Sequence, residues 1–100
     1  MSAPLLTVIV PAYNSEDYLD RALTTLVGYG DELEAIIVND GSKDATAQIA
    51  DEWAARYPSV KVIHQENKGH GGAVNAGLAA ATGTHVRVVD SDDWLDRRAT

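Results

Sequence analysis
One hundred residues, 45% of them hydrophobic and 23% charged, bound the chain to a single globular domain with one modest core. The absence of cysteine excludes a disulfide framework, a thiolate metal site and a cysteine nucleophile, and it fits a reducing, cytoplasmic setting. A net charge of −7 argues against nonspecific binding to nucleic acid or anionic membrane, and the three Lys and five Arg are few for an anionic ligand, so a bound phosphate would call for a divalent cation.

Pro4-Leu5-Leu6-Thr7-Val8-Ile9-Val10 is a nearly unbroken apolar run rich in β-branched residues, which predicts a strand buried on both faces of a parallel sheet. Pro11-Ala12-Tyr13-Asn14 is expected to end it. Ser15 stands where an N-cap belongs, with Glu16 and Asp17 in the first turn of a helix. Tyr18, Leu19, Ala22, Leu23, Leu26 and Val27 share one face of that helix, and Gly28 and Gly30 stop it. A second buried strand, Glu34 to Val38, closes on Asn39-Asp40-Gly41-Ser42. Ser42 or Asp44 is expected to cap a second helix with Ala47, Ala50, Trp53, Ala54 and Tyr57 inward and Pro58 just beyond it. Val60 to His64 reads as a third strand. A polar, glycine-rich loop from Gln65 to Gly72 leads to a helix of small residues, Ala73, Ala76, Gly77 and Ala80, able to lie close on a sheet. Thr82-Gly83 ends it, and His85 to Val89 forms a fourth strand leading into Asp90-Ser91-Asp92-Asp93.

The order β-α-β-α-β-α-β with short joints predicts an α/β fold: a mostly parallel sheet of about four strands, with helices on both faces. Ligands of such sheets sit beyond the carboxyl ends of the strands, where the polar clusters of this chain fall. No apolar run approaches the roughly 20 residues of a membrane span, and no charged region leads into a signal-peptide core.

Three carboxylates within Asp90-Ser91-Asp92-Asp93 repel one another unless screened or bridged, and hard oxygen donors suit Mg²⁺ or Mn²⁺. Read alone, the segment is equally an exposed turn that caps a helix near Trp94. Asn39-Asp40-Gly41-Ser42 reads first as a turn and cap, although Asp40 could accept hydrogen bonds from a base or ribose. Backbone N–H groups of Gly69-His70-Gly71-Gly72 could face an anion. Val74 breaks the Gly-x-Gly-x-x-Gly fingerprint, however, and no Gly-Lys-Ser/Thr follows. His64, His70 and His85 lack metal-ligand spacing and read as structural. No Gly-x-Ser-x-Gly elbow supports a serine hydrolase. Tyr13 could stack on a base or pack against a neighbouring loop.

Taken together, Thr7-Val8-Ile9-Val10-Pro11-Ala12-Tyr13-Asn14, Ile36 to Asp44, Asn67-Lys68-Gly69 with Ala73 to Gly77, and Val89 to Trp94 resemble the N-terminal half of inverting family 2 glycosyltransferases of the GT-A, Rossmann-like fold. The resemblance implies that Pro11, Tyr13 and Glu16 line a nucleoside pocket, that Asp40 bonds the base, and that Asn67 lies near base and ribose. It further implies that Asp90 approaches the ribose and donor sugar, and that Asp92, supported by Asp93, binds Mn²⁺ or Mg²⁺ at the diphosphate of a nucleotide-diphosphate sugar, a UDP-sugar first. The acceptor would be a saccharide or a lipid. The catalytic base would lie beyond residue 100, in a full domain longer than this chain, which alone is expected to transfer no sugar. Two positions depart from the family pattern: Asn39 stands where many relatives carry a second acid, and Val74 where many carry Arg. A nucleotidyltransferase lacks its glycine- and arginine-rich phosphate loop here. The remaining alternative is a nonenzymatic nucleotide-binding or self-associating α/β module, forming a homo-oligomer through an exposed sheet edge or face. The implied location is cytoplasmic, or the cytoplasmic face of a membrane.

Overall fold
The computed structural model describes residues 4–89. Its elements are β1 (Leu6–Ala12), α1 (Glu16–Val27), β2 (Leu33–Asp40), α2 (Thr46–Arg56), β3 (Val60–Gln65), α3 (Gly69–Ala80) and β4 (His85–Val88), with a short 3₁₀ turn at Gly30–Glu32. All strand pairs are parallel, in the order β3-β2-β1-β4. The expected α/β architecture is therefore present.

Strand alternation divides the core in two. Val8, Val10 and Ala12 of β1, with Leu33, Ala35 and Ile37 of β2, face Leu19, Leu23 and Leu26 of α1 and Ala50 and Trp53 of α2. Ile9, Ile36 and Val38 point the other way, against Ala73, Ala76 and Ala80 of α3. The chain runs outward from β1 through β2 to β3 with both helices on one face. It then reverses past β1 to β4 with α3 on the opposite face, as constant crossover handedness requires. The reversal point lies between β1 and β4, and a crevice at the carboxyl ends of such strands is where open α/β sheets bind ligands.

Small residues set the closeness of α3. A Cβ placed on Gly77 would come within 2.4 Å of Ile9 Cγ2, and Ile9 is wholly buried. Gly77→Val is therefore expected to lower unfolding stability by about 2–3 kcal/mol through overpacking, read as a lower urea midpoint. An unchanged midpoint would mean that α3 does not rest on β1 at this distance.

The structure corrects three local expectations. β1 continues through Pro11 to Ala12, opposite Val38 and Asn39. The Ile9 carbonyl accepts from Val89 N, so by two-residue alternation the Pro11 nitrogen faces the β4 side, beyond the end of β4 at Val88, where no donor is needed. Neither Ser42 nor Asp44 is the residue preceding α2. That residue is Ala45, and Asp44 Oδ1 reaches forward to Thr46 N at 2.9 Å. The glycine-rich stretch from Gly69 is not loop but the first turn of α3, stabilised from a different strand as described below.

Candidate functional site
The loops after β1, β2 and β3 are fastened to one another by side chains, building a single polar rim at the carboxyl end of the sheet. Asn14 adopts φ +49°, a left-handed conformation that Asn tolerates better than most residues. Its N–H donates to Ser42 Oγ at 2.9 Å, and its Oδ1 accepts from Lys43 N at 2.8 Å. Ser15 N donates to Thr46 Oγ1 at 2.7 Å, and Glu16 Oε1 accepts from Ala45 N at 2.8 Å. Glu16 and Asn14 thus hold the start of α2, while Asp44 Oδ2 accepts from Glu16 N at 3.4 Å in return.

Asp40 ties the third loop in. It is buried, and its Oδ1 accepts from Gln65 Nε2 at 2.9 Å and Lys68 N at 2.8 Å, while Oδ2 accepts from Gly69 N at 2.9 Å. A carboxylate from the end of β2 therefore satisfies N–H groups at the start of α3, which have no partner within the helix. Burial opposes its ionisation, but the Gln65 amide, the two backbone N–H groups and the nearby Lys68 charge more than offset this and hold its pKa below the ordinary carboxylate value. Oδ2 keeps one lone pair uncommitted within the described residues. Next to it, Gly41 sits at φ +75°, and a Cβ there would meet Asn67 N at 2.8 Å. Glycine at 41 lets the β3–α3 loop lie directly on the β2–α2 turn.

Pro11, Tyr13, Glu16, Asp40 and Asn67 all fall on this end of the sheet. Pro11 is buried beneath the rim, whereas Tyr13 is 49% exposed on it. Asn67 is exposed, with Oδ1 accepting from Gly69 N at 3.1 Å. Asp90, Asp92 and Asp93 lie outside the described residues. The last described residue before them, Val89, is bonded to the Ile9 carbonyl at 2.9 Å. Among the described residues no group of three His, Asp or Glu side chains could hold a metal ion.

Sequence reasoning missed Asn39, Thr46, His64 and Gln65 as parts of the rim. Asn39 and His64, like Asp40 and Gln65, are register partners at the ends of β2 and β3. Polar residues at the last positions of two otherwise apolar strands were the available signal. A groove lined by Pro4, Leu33, Glu34, Lys61 and Thr82 lies at the opposite, amino end of the sheet, away from the rim.

The family model described as Glycosyl transferase family 2 matches residues 7–99. The chain is 44% identical to EpsH of Bacillus subtilis over 96% of its own length and 28% of that protein. Among solved structures it is similar to S. aureus TarS 1-349 in complex with UDP-GlcNAc, with TM-score 0.78 and 35% identity over 94% of this chain and 30% of that one. It is also similar to the mannosyltransferase PcManGT from Pyrobaculum calidifontis in complex with GDP-Man and Mn²⁺, with TM-score 0.75 and 30% identity over 91% of this chain and 28% of that one. The chain thus spans less than a third of the length of these relatives. With sequence motifs, sheet order and rim in agreement, the chain belongs to glycosyl transferase family 2.

Proposed function
We propose that this chain is the donor-binding part of a cytoplasmic glycosyltransferase, one that takes a sugar from a nucleoside diphosphate and passes it, with inversion, to a hydroxyl of a saccharide or lipid acceptor. The observation that carries this reading is the rim itself: three loops locked together at the carboxyl ends of β1, β2 and β3, beside the β1–β4 reversal, with an ionised Asp40 at its centre. Tyr13 offers an exposed ring for a base, above buried Pro11 and beside Glu16. Asn67 is exposed on the same rim, against Gly41, and Asp40 would contribute its remaining lone pair. UDP is the first candidate nucleotide, in keeping with the UDP-GlcNAc bound in TarS, and GDP the second.

Asp90 is assigned to the ribose and donor sugar, and Asp92 with Asp93 to a divalent cation. The donor chemistry fits Mn²⁺ or Mg²⁺: the residues are carboxylates, the chain carries −7 net charge, and Val74 supplies no cation where the family pattern has Arg. Bound there, the cation would neutralise charge on the departing nucleoside diphosphate. The base that deprotonates the acceptor is assigned to sequence beyond residue 100. No helix among the described residues is long and apolar enough to cross a membrane.

Calorimetric titration of UDP, GDP and their sugars, with and without Mn²⁺, tests the reading. Metal-dependent binding is expected, weakened roughly tenfold or more in Asp92→Ala, equivalent to about 1.4 kcal/mol. One observation favours a second reading: Val86 and Val88 of the outermost strand β4 are exposed among the described residues. Concentration-dependent self-association without nucleotide affinity would support that module and overturn the first reading.

A further inference from the structure
Position 39 is where this chain departs from the two-acid pattern, and the structure gives that departure a partner. Asn39 is buried, and its Oδ1 accepts from Ser42 N at 3.1 Å. A backbone N–H can only donate, so this contact fixes which end of the amide is oxygen. The other end, Nδ2, then points as a donor at His64 Nδ1, 3.0 Å away. His64 must present a lone pair at Nδ1 and carry its proton on Nε2, which lies 2.8 Å from Asp51 Oδ1. The remaining links are equally directional: Ser42 Oγ accepts from Asn14 N, and Asn14 Oδ1 accepts from Lys43 N. One polarised chain of hydrogen bonds therefore runs from Asp51 on α2, across the ends of β3 and β2, to the loop that carries Tyr13.

We propose that His64, in its Nε2–H tautomer, is a positioning residue of the donor site, setting the β2–α2 turn and the Tyr13 loop through Asn39, and that Asn39 and His64 act as a matched pair. The proposal rests on the donor-site reading above. An acid at position 39 could still accept from Ser42 N, but its second oxygen would face the His64 Nδ1 lone pair. That arrangement is repulsive while the ring keeps its proton on Nε2, and relieving it requires a proton on Nδ1, which the Asn39 pairing does not. Asparagine completes the chain with a neutral ring. The Asp51 end is open to solvent, with side chains of His64 and Asp51 42% and 63% exposed, so the weight of the device falls on the buried Asn39 donor rather than on the outer hydrogen bond.

Two substitutions separate positioning from packing. Asn Oδ1 occupies nearly the place of His Nδ1 on a side chain of similar reach, so His64→Asn keeps the acceptor for Asn39 while deleting the Asp51 contact. His64→Leu keeps bulk but strands the Asn39 donor. The expected result is UDP affinity within about twofold of the unsubstituted chain for His64→Asn, and roughly tenfold weaker for His64→Leu. Long-range ¹H–¹⁵N correlation at neutral pH should show His64 as the Nε2–H tautomer, and Asn39→Asp should place a proton on Nδ1. An Nδ1–H tautomer in the unsubstituted chain overturns the proposal, as does equal UDP affinity in His64→Leu and His64→Asn. Failure of the unsubstituted chain to bind any nucleoside diphosphate overturns the donor-site reading and this role with it. That failure is distinguishable, because the tautomer is read without ligand.

Discussion
Replacing Asp40 by alanine is expected to loosen the rim and the fold together, lowering unfolding stability by about 3 kcal/mol. The carboxylate is the common acceptor for Gln65 Nε2, Lys68 N and Gly69 N, all within 2.9 Å. Alanine leaves Gln65 Nε2 and Lys68 N to find water or go unpaired, and leaves Gly69 N with only its longer contact to Asn67 Oδ1. Hydrogen bonds to a charged acceptor are individually stronger than neutral ones, and an orphaned buried donor costs its full desolvation. The loss should be local before it is global: amide exchange at Lys68 and Gly69 accelerates first, because the first turn of α3 contains glycines 69, 71 and 72, which resist helix formation without a cap. Asp40→Asn keeps an oxygen but must turn an NH₂ group toward donors, so it should fall between alanine and the unsubstituted chain. Nucleotide affinity should fall in parallel, since Asn67 is held against Gly41 by the same loop. A urea midpoint unchanged in Asp40→Ala, with Lys68 and Gly69 amides still protected, would show that α3 is capped by something else.

The framework of this fold was legible because it is written locally. Runs such as Thr7-Val8-Ile9-Val10 and Ala35-Ile36-Ile37-Val38 are apolar on both faces, which only a strand covered on both sides demands, and they became the two central strands. The heptad-like spacing of Leu19, Leu23 and Leu26 likewise placed the buried face of α1. The errors share the opposite character. Gly69-His70-Gly71-Gly72 has poor intrinsic helix propensity, and the acceptor that makes it helical, Asp40, stands about thirty residues earlier, on another strand. Pro11 reads locally as a strand terminator, but its missing donor matters only if a neighbour faces it, and strand order decides that. For the site, the motif order placed Pro11, Tyr13, Glu16, Asp40 and Asn67 at one end of the sheet, the end at which the structure has them. It could not reveal that Glu16 and Asp40 already serve as struts between loops, since hydrogen-bond partners 28 and 29 residues apart leave no periodic trace.

Acidification should destabilise the chain through a second buried carboxylate, one remote from the rim. In the sequence Glu34 is only the first residue of an apolar strand, yet it is 4% exposed and accepts from Thr7 Oγ1 at 2.7 Å, from Thr82 N and Oγ1 at 3.0 Å, and from Lys61 Nζ. Burial alone would raise its pKa, but the Lys61, Thr7 and Thr82 donors overcome this and lower it from 4.5 to about 2. A folded-state value below the unfolded one means that the unfolded chain binds the proton more readily. The contribution is therefore complete above the unfolded value and disappears as pH falls from ~5 toward ~2. At one pKa unit per ~1.4 kcal/mol its full size is about 3 kcal/mol, an upper figure because Lys61 is half exposed and its attraction is screened. Asp40 and Asp44, whose values are also lowered, add to the loss with the same sign. Urea unfolding followed from neutral to acid pH should thus show a falling midpoint, and Glu34→Gln should both lower the neutral-pH midpoint and flatten the acid slope. Nucleotide affinity at neutral pH should survive this substitution, because Glu34 lies at the amino end of β2 and the rim at its carboxyl end; that contrast with Asp40 separates the carboxylate that holds the sheet from the one that holds the site. An acid slope as steep in Glu34→Gln as in the unsubstituted chain would assign the acid sensitivity to the rim carboxylates instead.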